Sequence, residues 1–344
     1  MYSDTQTRPT SGMRAAMAGA VVGDEQSGDD PTTLELCRVV ADLLGQEAGV
    51  FMPSGTMCNL VAILTHTRPG DELICDHESH IYGTEAAGAA ALAGISIRAI
   101  TSPHGVFDAA QVLEMIRPRT RTAPRTTLLS VEQTTNFSGG AVWPLAQLQA
   151  VRDLAHAHGL KAHLDGARLL NASAATGISA REYALGWDSA WIDLSKGLGC
   201  PVGAVLCGSS AFVEQAWQWK YRLGGAMRQS GVLAAAGLYA LEHHLPQLVA
   251  DHANAQTIWH VLSPCGALRF DPPQPASNIL RFGFTSPLVT AHEFAARCLK
   301  EGVRVRAIGS DFVRVTTHLD VSASEAQLAA QTMLAVAQSL SQGG

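Results

Sequence analysis

The chain contains no Cys-x-x-Cys pair, and its seven cysteines (Cys37, Cys58, Cys75, Cys200, Cys207, Cys265 and Cys298) are scattered and odd in number. That pattern gives neither a disulfide framework nor a zinc site. Positive charge is also short. The 24 Lys and Arg stand against 30 Asp and Glu, a net charge of −6 that argues against nucleic acid or an acidic membrane as a general partner. One basic stretch, RPRTRTAPR (Arg117 to Arg125), has the charge to bind phosphate, but Pro118 and Pro124 mark it as a solvated loop. No apolar run is long enough to span a bilayer. The opening MYSDTQTRPT has no apolar core, so no signal peptide is expected there, and the cytoplasm is the expected compartment. The histidines of HAH (His156 to His158) and EHH (Glu242 to His244) are too close in sequence to share a helix face. Solvated side chains and no metal are expected from them. Internal repeats, low-complexity segments and flexible linkers are absent as well.

What is present is an ordinary packed protein of 344 residues, 47% hydrophobic and 16% charged, long enough for one large domain and a smaller one. Its 32 glycines suit a fold with many tight turns. Short apolar runs (GVFMP, ELICD, SIRAI, TLLSV, KAHLD, AWIDLS, GAVLCG) alternate with helical patterns. DDPTTLELCRVVADLLG has Asp30 as cap, Pro31 at the first helical position and Gly45 as stop. GTMCNLVAILTHT, PLAQLQAVRDLAHAHG and the alanine-rich TEAAGAAALAG read as further helices. This alternation predicts an α/β fold with a mostly parallel sheet covered by helices. From about Pro246 the texture changes to NILRFGF, TAHEFAARCLKEG, VRVRAIG, FVRVTTH and a capping-box helix at SASE (Ser322 to Glu325), a smaller α+β unit. The expected domains are 1–245 and 246–344, with roughly the first 15 residues free to pack with the smaller one.

Ligands of open α/β sheets bind beyond the carboxyl ends of the strands. Four polar clusters sit at such ends: PSGT (Pro53 to Thr56), EQTTN (Glu132 to Asn136), DGAR (Asp165 to Arg168) and SKGLG (Ser195 to Gly199). Each has a plain reading. SGT alone is a helix cap, Asp165-Gly166 alone is a turn, and Lys196 alone is a loop lysine. Each also has a chemical one. Gly55 and Thr56 offer amide N–H groups at the positive end of a helix, Asp165 is a carboxylate, and Lys196 is an amine among small neighbours that leave room for a planar group. GLGCPVG is no dinucleotide fingerprint, because a strand follows where a helix should. An amine, a carboxylate and a phosphate cradle together match pyridoxal 5′-phosphate (PLP), which needs a lysine for a Schiff base and an anion at its pyridine nitrogen.

The order and wording of seven blocks carry a resemblance. They are SDTQTRPT (from Ser3), PSGTMCNL (from Pro53), RPGDELICD (from Arg68), HLDGARLLNA (from His163), LSKGLGCPVG (from Leu194), LGGAMRQSG (from Leu223) and RVTTHLDV (from Arg314). In this order, over nearly the whole chain, the sequence resembles the L-threonine aldolase family of fold-type I PLP enzymes. The resemblance implies that Lys196 bonds the cofactor, Asp165 pairs with its ring nitrogen, Gly55 and Thr56 hold its phosphate, and His80 stacks on its ring with Glu85 nearby. Ser3, Arg168 and Arg314 match positions that grip the substrate carboxylate, a task suited to arginine's planar fork. Arg228 matches a residue that reaches a neighbouring subunit's site, implying a homodimer or homotetramer with shared sites.

The chemistry so implied is retro-aldol cleavage of a β-hydroxy-α-amino acid to glycine and an aldehyde, with a base taking the hydroxyl proton. The family's usual Glu-Asn-Thr-His-Asn is here EQTTN, with Gln133 for asparagine and Thr135 for the histidine near the substrate hydroxyl. Threonine cannot act as a base near neutral pH but can hydrogen-bond a hydroxyl or a water. The expected consequence is an aldolase of altered substrate range, with His80 or a water as base. A racemase or a β-eliminating lyase on the same scaffold is the alternative.

Overall fold

The structure, a computed structural model, describes residues 1–342. The helix Pro31–Leu44 forms as its sequence dictates. The Asp30 carboxylate accepts the Thr33 N–H at 2.9 Å, Pro31 opens the first turn, and Gly45 takes a left-handed conformation (φ 66°) that only glycine adopts freely. Ser54 caps Gly55–His66 in the same way by accepting the Met57 N–H. The capping box of the last helix, Ala323–Gln342, is also made: the Ser322 N–H donates to Glu325 and the Glu325 N–H to the Ser322 hydroxyl.

Seven strands form one sheet: β1 (Ala48–Met52), β2 (Asp71–Asp76), β3 (Ser96–Ile100), β4 (Arg125–Glu132), β5 (Lys161–Gly166), β6 (Ser189–Asp193) and β7 (Ala204–Gly208). Their order is β1-β7-β6-β5-β4-β2-β3. The run from β6 to β3 is parallel, and β7 is antiparallel to both β6 and β1. Strands β2, β6 and β7 are buried along their whole length, as strands covered on both faces must be.

A small C-terminal domain holds a second sheet, β8 (Leu268–Phe270), β9 (Ile279–Phe284), β10 (Arg306–Ile308) and β11 (Phe312–Thr316), antiparallel throughout in the order β10-β11-β9-β8. Its own core takes in Ile258, Phe282, Phe294, Val313 and Met333. The chain start joins this unit, for Thr316 donates its N–H to the Met1 carbonyl at 3.1 Å.

Two local expectations differ from the structure. The alanine-rich TEAAGAAALAG forms only a single turn, Gly88–Ala91. Ala86 and Ala87 have φ of 50° and 55°, which no right-handed helix passes through, and just ahead of them the Glu85 carboxylate is held by His80 and Asn59. His244 is buried rather than solvated, with Nδ1 donating to the Leu198 carbonyl. The basic stretch is tied at both ends, Arg117 to Glu72 and Arg125 to Asp71.

Candidate active site

Side chains alternate faces along a strand, and β4, β5 and β6 use one face for polar groups. Ser130 and Glu132 on β4 lie in register with His163 and Asp165 on β5, and these with Ser189 and Trp191 on β6. The opposite positions, Leu129, Val131, Ala162, Leu164, Ala190 and Ile192, are apolar and buried. On the helix Gly55–His66, Asn59 and His66 are seven residues apart, on one side, and both bond to this polar face.

Asn59 is fully buried and uses every hydrogen-bonding position it has. Its amide donates to Asp165 Oδ2 at 2.8 Å and to Glu85 Oε1 at 2.7 Å. Its carbonyl accepts Trp191 Nε1–H at 2.8 Å and His163 Nε2–H at 3.0 Å. The other Asp165 oxygen accepts the Ala167 N–H at 3.0 Å. Asp165 is therefore held by two donors, at the carboxyl end of β5.

Beside it, His80 Nδ1 meets Glu85 Oε1 at 2.7 Å, and among the described residues no protein group bonds its Nε2. Burial alone would lower the His80 pKa, but the bond and charge of Glu85 outweigh it and raise it. Burial raises Glu85 too, against the bonds from His80 and Asn59. Glu132 accepts the His80 N–H at 2.9 Å with one oxygen and the Asn136 N–H with the other, so it fixes two loops. Burial first, then the charge of Asp165, push its pKa up to about 7.

The cations differ in how they are matched. Lys196 lies 3.1 Å from Asp193, whose other oxygen accepts the Ser195 N–H and hydroxyl. Arg168 makes a two-pronged bond to Asp4, Nε to Oδ2 at 2.7 Å and Nη2 to Oδ1 at 2.8 Å, both residues buried. Arg314 is only 2% exposed and has no carboxylate partner among the described residues. Its Nη1 donates to the neutral Asn136 side chain, and its Nε has no partner among the described residues. Burial and the neighbouring charge of Arg168 push its pKa down to about 10. An unmatched buried guanidinium is costly unless a ligand supplies the anion.

Gly55 opens its helix with free amides, and no other residue fits there: a Cβ would stand 2.2 Å from Trp191 Cη2 and 3.1 Å from Asp193 Oδ2. Thr56 beside it is exposed. The Ser3 hydroxyl accepts the N–H and hydroxyl of Thr5, which places it next to Asp4 and so beside Arg168. The Thr135 hydroxyl accepts the Ala141 N–H at 3.0 Å while the Thr135 N–H donates to the Ala141 carbonyl. Arg228 stands apart, largely exposed and paired with Asp24 at 2.8 Å. The structure thus ties Asp165, Glu85 and His80 together through Asn59, while Lys196 is held by Asp193 and Arg168 by Asp4. It leaves Arg228 outside this network. Sequence reasoning missed Asp4, Asn59, His163 and Asp193, and it placed Glu132 and Asn136 at the site without giving them a role. The alternation of polar residues along KAHLD and SAWID was the signal that could have found two of them.

Known proteins resemble this chain in sequence and in fold. Residues 1–282 match the family model described as beta-eliminating lyase. Over 326 residues the chain is 40% identical to the low specificity L-threonine aldolase of Escherichia coli K12, covering 94% of each protein. It is 36% identical over 330 residues to low-specificity L-threonine aldolase 1 of Arabidopsis thaliana, covering 94% of this chain and 92% of that one. Among solved structures, the threonine aldolase of Leishmania major superposes with a TM-score of 0.84 at 20% identity, covering 98% of each chain, a likeness of fold.

Proposed function

The chain belongs to the beta-eliminating lyase family, and on that footing we propose that it is a PLP-dependent carbon–carbon lyase that splits β-hydroxy-α-amino acids of the threonine type into glycine and an aldehyde. The observation that carries the substrate class is Arg314, a buried guanidinium with an orphaned Nε and no counter-ion among the described residues. An amino-acid carboxylate supplies the anion it lacks. Arg168, already oriented by Asp4 and preceded in space by Ser3, offers its remaining donors to the same group.

The residues present fit the cofactor. Gly55 and Thr56 give the phosphate a helix N-terminus whose first position tolerates no side chain. Asp165, held by Asn59 and Ala167, would pair with the ring nitrogen. Lys196 provides the amine that tethers the cofactor, and Asp193 keeps that amine in place until then. Once bound, PLP supplies the electron sink that lets Cα carry the electron pair left when the Cα–Cβ bond breaks.

The chain's own residues move the proton. His80 Nε2, free of protein partners and backed by Glu85 on Nδ1, takes the proton from the substrate hydroxyl oxygen directly or through a water. Thr135 cannot take it. A hydroxyl is no base near neutral pH; its oxygen accepts the Ala141 N–H, and its own proton can be donated to a substrate oxygen or a water. Being smaller than histidine, it leaves room for a different β-substituent. Arg228, exposed and outside its own subunit's network, reaches the site of a neighbour in a homodimer or homotetramer. The large cofactor domain covers 1–245 and the small one 246–344, in line with two separate cores. Seven free cysteines suit the reducing cytoplasm.

Protein reconstituted with PLP and given L-threonine, L-allo-threonine and phenylserine should release glycine together with the matching aldehyde. Absence of aldehyde from all three overturns the proposal. Solvent deuterium entering Cα of alanine or serine with inversion, and no carbon–carbon cleavage, would identify a racemase instead.

A further inference from the structure

Five side chains form an unbroken file of hydrogen bonds from the far end of the helix Gly55–His66 to the cofactor edge of the sheet. His66 Nε2 meets Ser189 Oγ at 2.8 Å, Ser189 Oγ meets His163 Nδ1 at 2.8 Å, His163 Nε2 meets Asn59 Oδ1 at 3.0 Å, and Asn59 Nδ2 meets Asp165 Oδ2 at 2.8 Å. Donor chemistry fixes the direction of every bond. Indole N–H can only donate, so Trp191 sets the Asn59 oxygen towards itself and towards His163. His163 must then carry its proton on Nε2. Its Nδ1 is left as an acceptor, because burial keeps the ring neutral and pushes its pKa down to about 3. The Ser189 proton therefore points to His163, and the Ser189 oxygen accepts from His66. All donors run one way, and the file ends on Asp165 with a branch to Glu85.

Building the interface between a helix and a sheet from buried Asn, His and Ser is costlier than packing apolar residues there, unless each group is bonded and the file has a purpose at its end. Resting on the functional reading above, we propose that His163 and Asn59 are positioning residues that hold the Asp165 carboxylate aimed at a protonated ring nitrogen, through this one-way file. His163 touches neither substrate nor cofactor. It fixes the orientation of Asn59, which fixes Asp165. Ser189 fixes the His163 tautomer.

The test uses cofactor-free full-length protein titrated with PLP and with an analogue whose ring nitrogen is replaced by CH. Wild type should bind PLP more tightly than the analogue. His163→Leu should weaken PLP binding about three- to tenfold and leave the analogue's affinity unchanged. His163→Gln, whose amide N–H can stand where Nε2–H stood, should restore most of the loss. Ser189→Ala removes one hydroxyl and with it the tautomer lock, and should give a smaller loss of the same selective kind. It carries the comparison if His163→Leu does not fold. Equal weakening of both ligands, unchanged PLP affinity, or no restoration by glutamine would overturn the inference. A wild type that takes up no PLP overturns the functional reading with it, whereas one that takes up PLP with no such selectivity in the variants overturns this inference alone.

Discussion

Replacing Arg314 with methionine should weaken substrate binding and stabilise the cofactor-free protein at once. The guanidinium is 2% exposed, has an orphaned Nε, and sits near the charge of Arg168. Burial and that charge lower its pKa from 12.5 to about 10, which corresponds to about 3 kcal/mol against the charged form. A cation whose folded-state pKa is depressed bears this cost at every pH below that pKa, so it is fully present at neutrality. Methionine keeps the unbranched length and removes the cost. It also forfeits the charge-assisted bond to Asn136, worth about 1.5–3 kcal/mol, which leaves a net gain of about 0–2 kcal/mol. The same change deletes the partner of the substrate carboxylate. Hydrogen bonds to charged groups contribute about 1.5–3 kcal/mol, so KM for threonine should rise roughly 10- to 100-fold. Thermal unfolding of the cofactor-free protein and steady-state kinetics of the loaded enzyme read the two effects. A fall in Tm together with an unchanged KM would mean that Arg314 is a structural group and that the carboxylate binds elsewhere.

Asp4→Asn leaves Arg168 buried and unpaired and should cost about 3–5 kcal/mol at neutral pH. Burial alone would raise the Asp4 pKa, but Arg168 outweighs it and holds it well below the usual range, so the wild-type advantage exists above the unfolded value of about 4 and is lost as pH falls further. A gap in Tm between the two proteins that stays constant down to acid pH would refute the pairing. Gly55→Ala drives a Cβ to within 2.2 Å of Trp191 and should cost about 1–3 kcal/mol and most of the PLP affinity, and an unaltered PLP Kd would remove the phosphate cradle from Gly55. In Glu85→Gln the group that does most to raise His80 is gone, leaving only the charges of Asp165 and Glu132 against burial, so the acid limb of kcat/KM should move to lower pH. A limb that stays put would show that His80 is not the base. Thr135→His should raise aldehyde release from threonine while losing about 1–3 kcal/mol of stability in a closely packed loop, since Thr135 lies against Gly105. Unchanged turnover in a folded variant would show that the proton is not taken at residue 135.

Much of the fold was legible because its signals are local. Asp30, Pro31 and Gly45 mark a helix through backbone chemistry that needs no tertiary partner, and the strand ends at Glu132, Asp165 and Asp193 are where apolar runs meet polar residues. The alanine-rich segment misled for the opposite reason. Helix propensity is a sum of small local terms, and the tertiary hold on Glu85 by His80 and Asn59 outweighs it. His244 misled likewise, because its carbonyl partner Leu198 is 46 residues away. Within the site, residues set in distinctive motifs were readable, such as Lys196 among glycines or Arg314 ahead of a threonine pair. Their supports were not. Asp4 reads as an ordinary acid near the chain start, and only the fold brings it across 164 residues to Arg168. Asn59 lies inside an apolar helix where nothing local marks it as the partner of four side chains.

The two sides of the site carry opposite electrostatic debts. On one, Asp165, Glu85 and Glu132 crowd together, and the crowding shows as the raised pKa of Glu132, by burial and then by the Asp165 charge. On the other, Arg168 takes the Asp4 carboxylate for itself and Arg314 makes no ion pair among the described residues, so burial first, then the Arg168 charge, lowers the Arg314 pKa. A ligand with one sign of charge relieves only one side. An amino acid held on PLP carries both signs, a protonated ring nitrogen for Asp165 and a carboxylate for Arg314. Each end of such a ligand is therefore drawn to the place where the folded chain is least satisfied, which fixes its orientation before any bond is broken. On this reading, residue 135 does not decide that the reaction occurs at the α-carbon of an amino acid. The proposed roles give that part to Asp165 and Arg314, and leave Thr135 to act on what the β-carbon is allowed to carry.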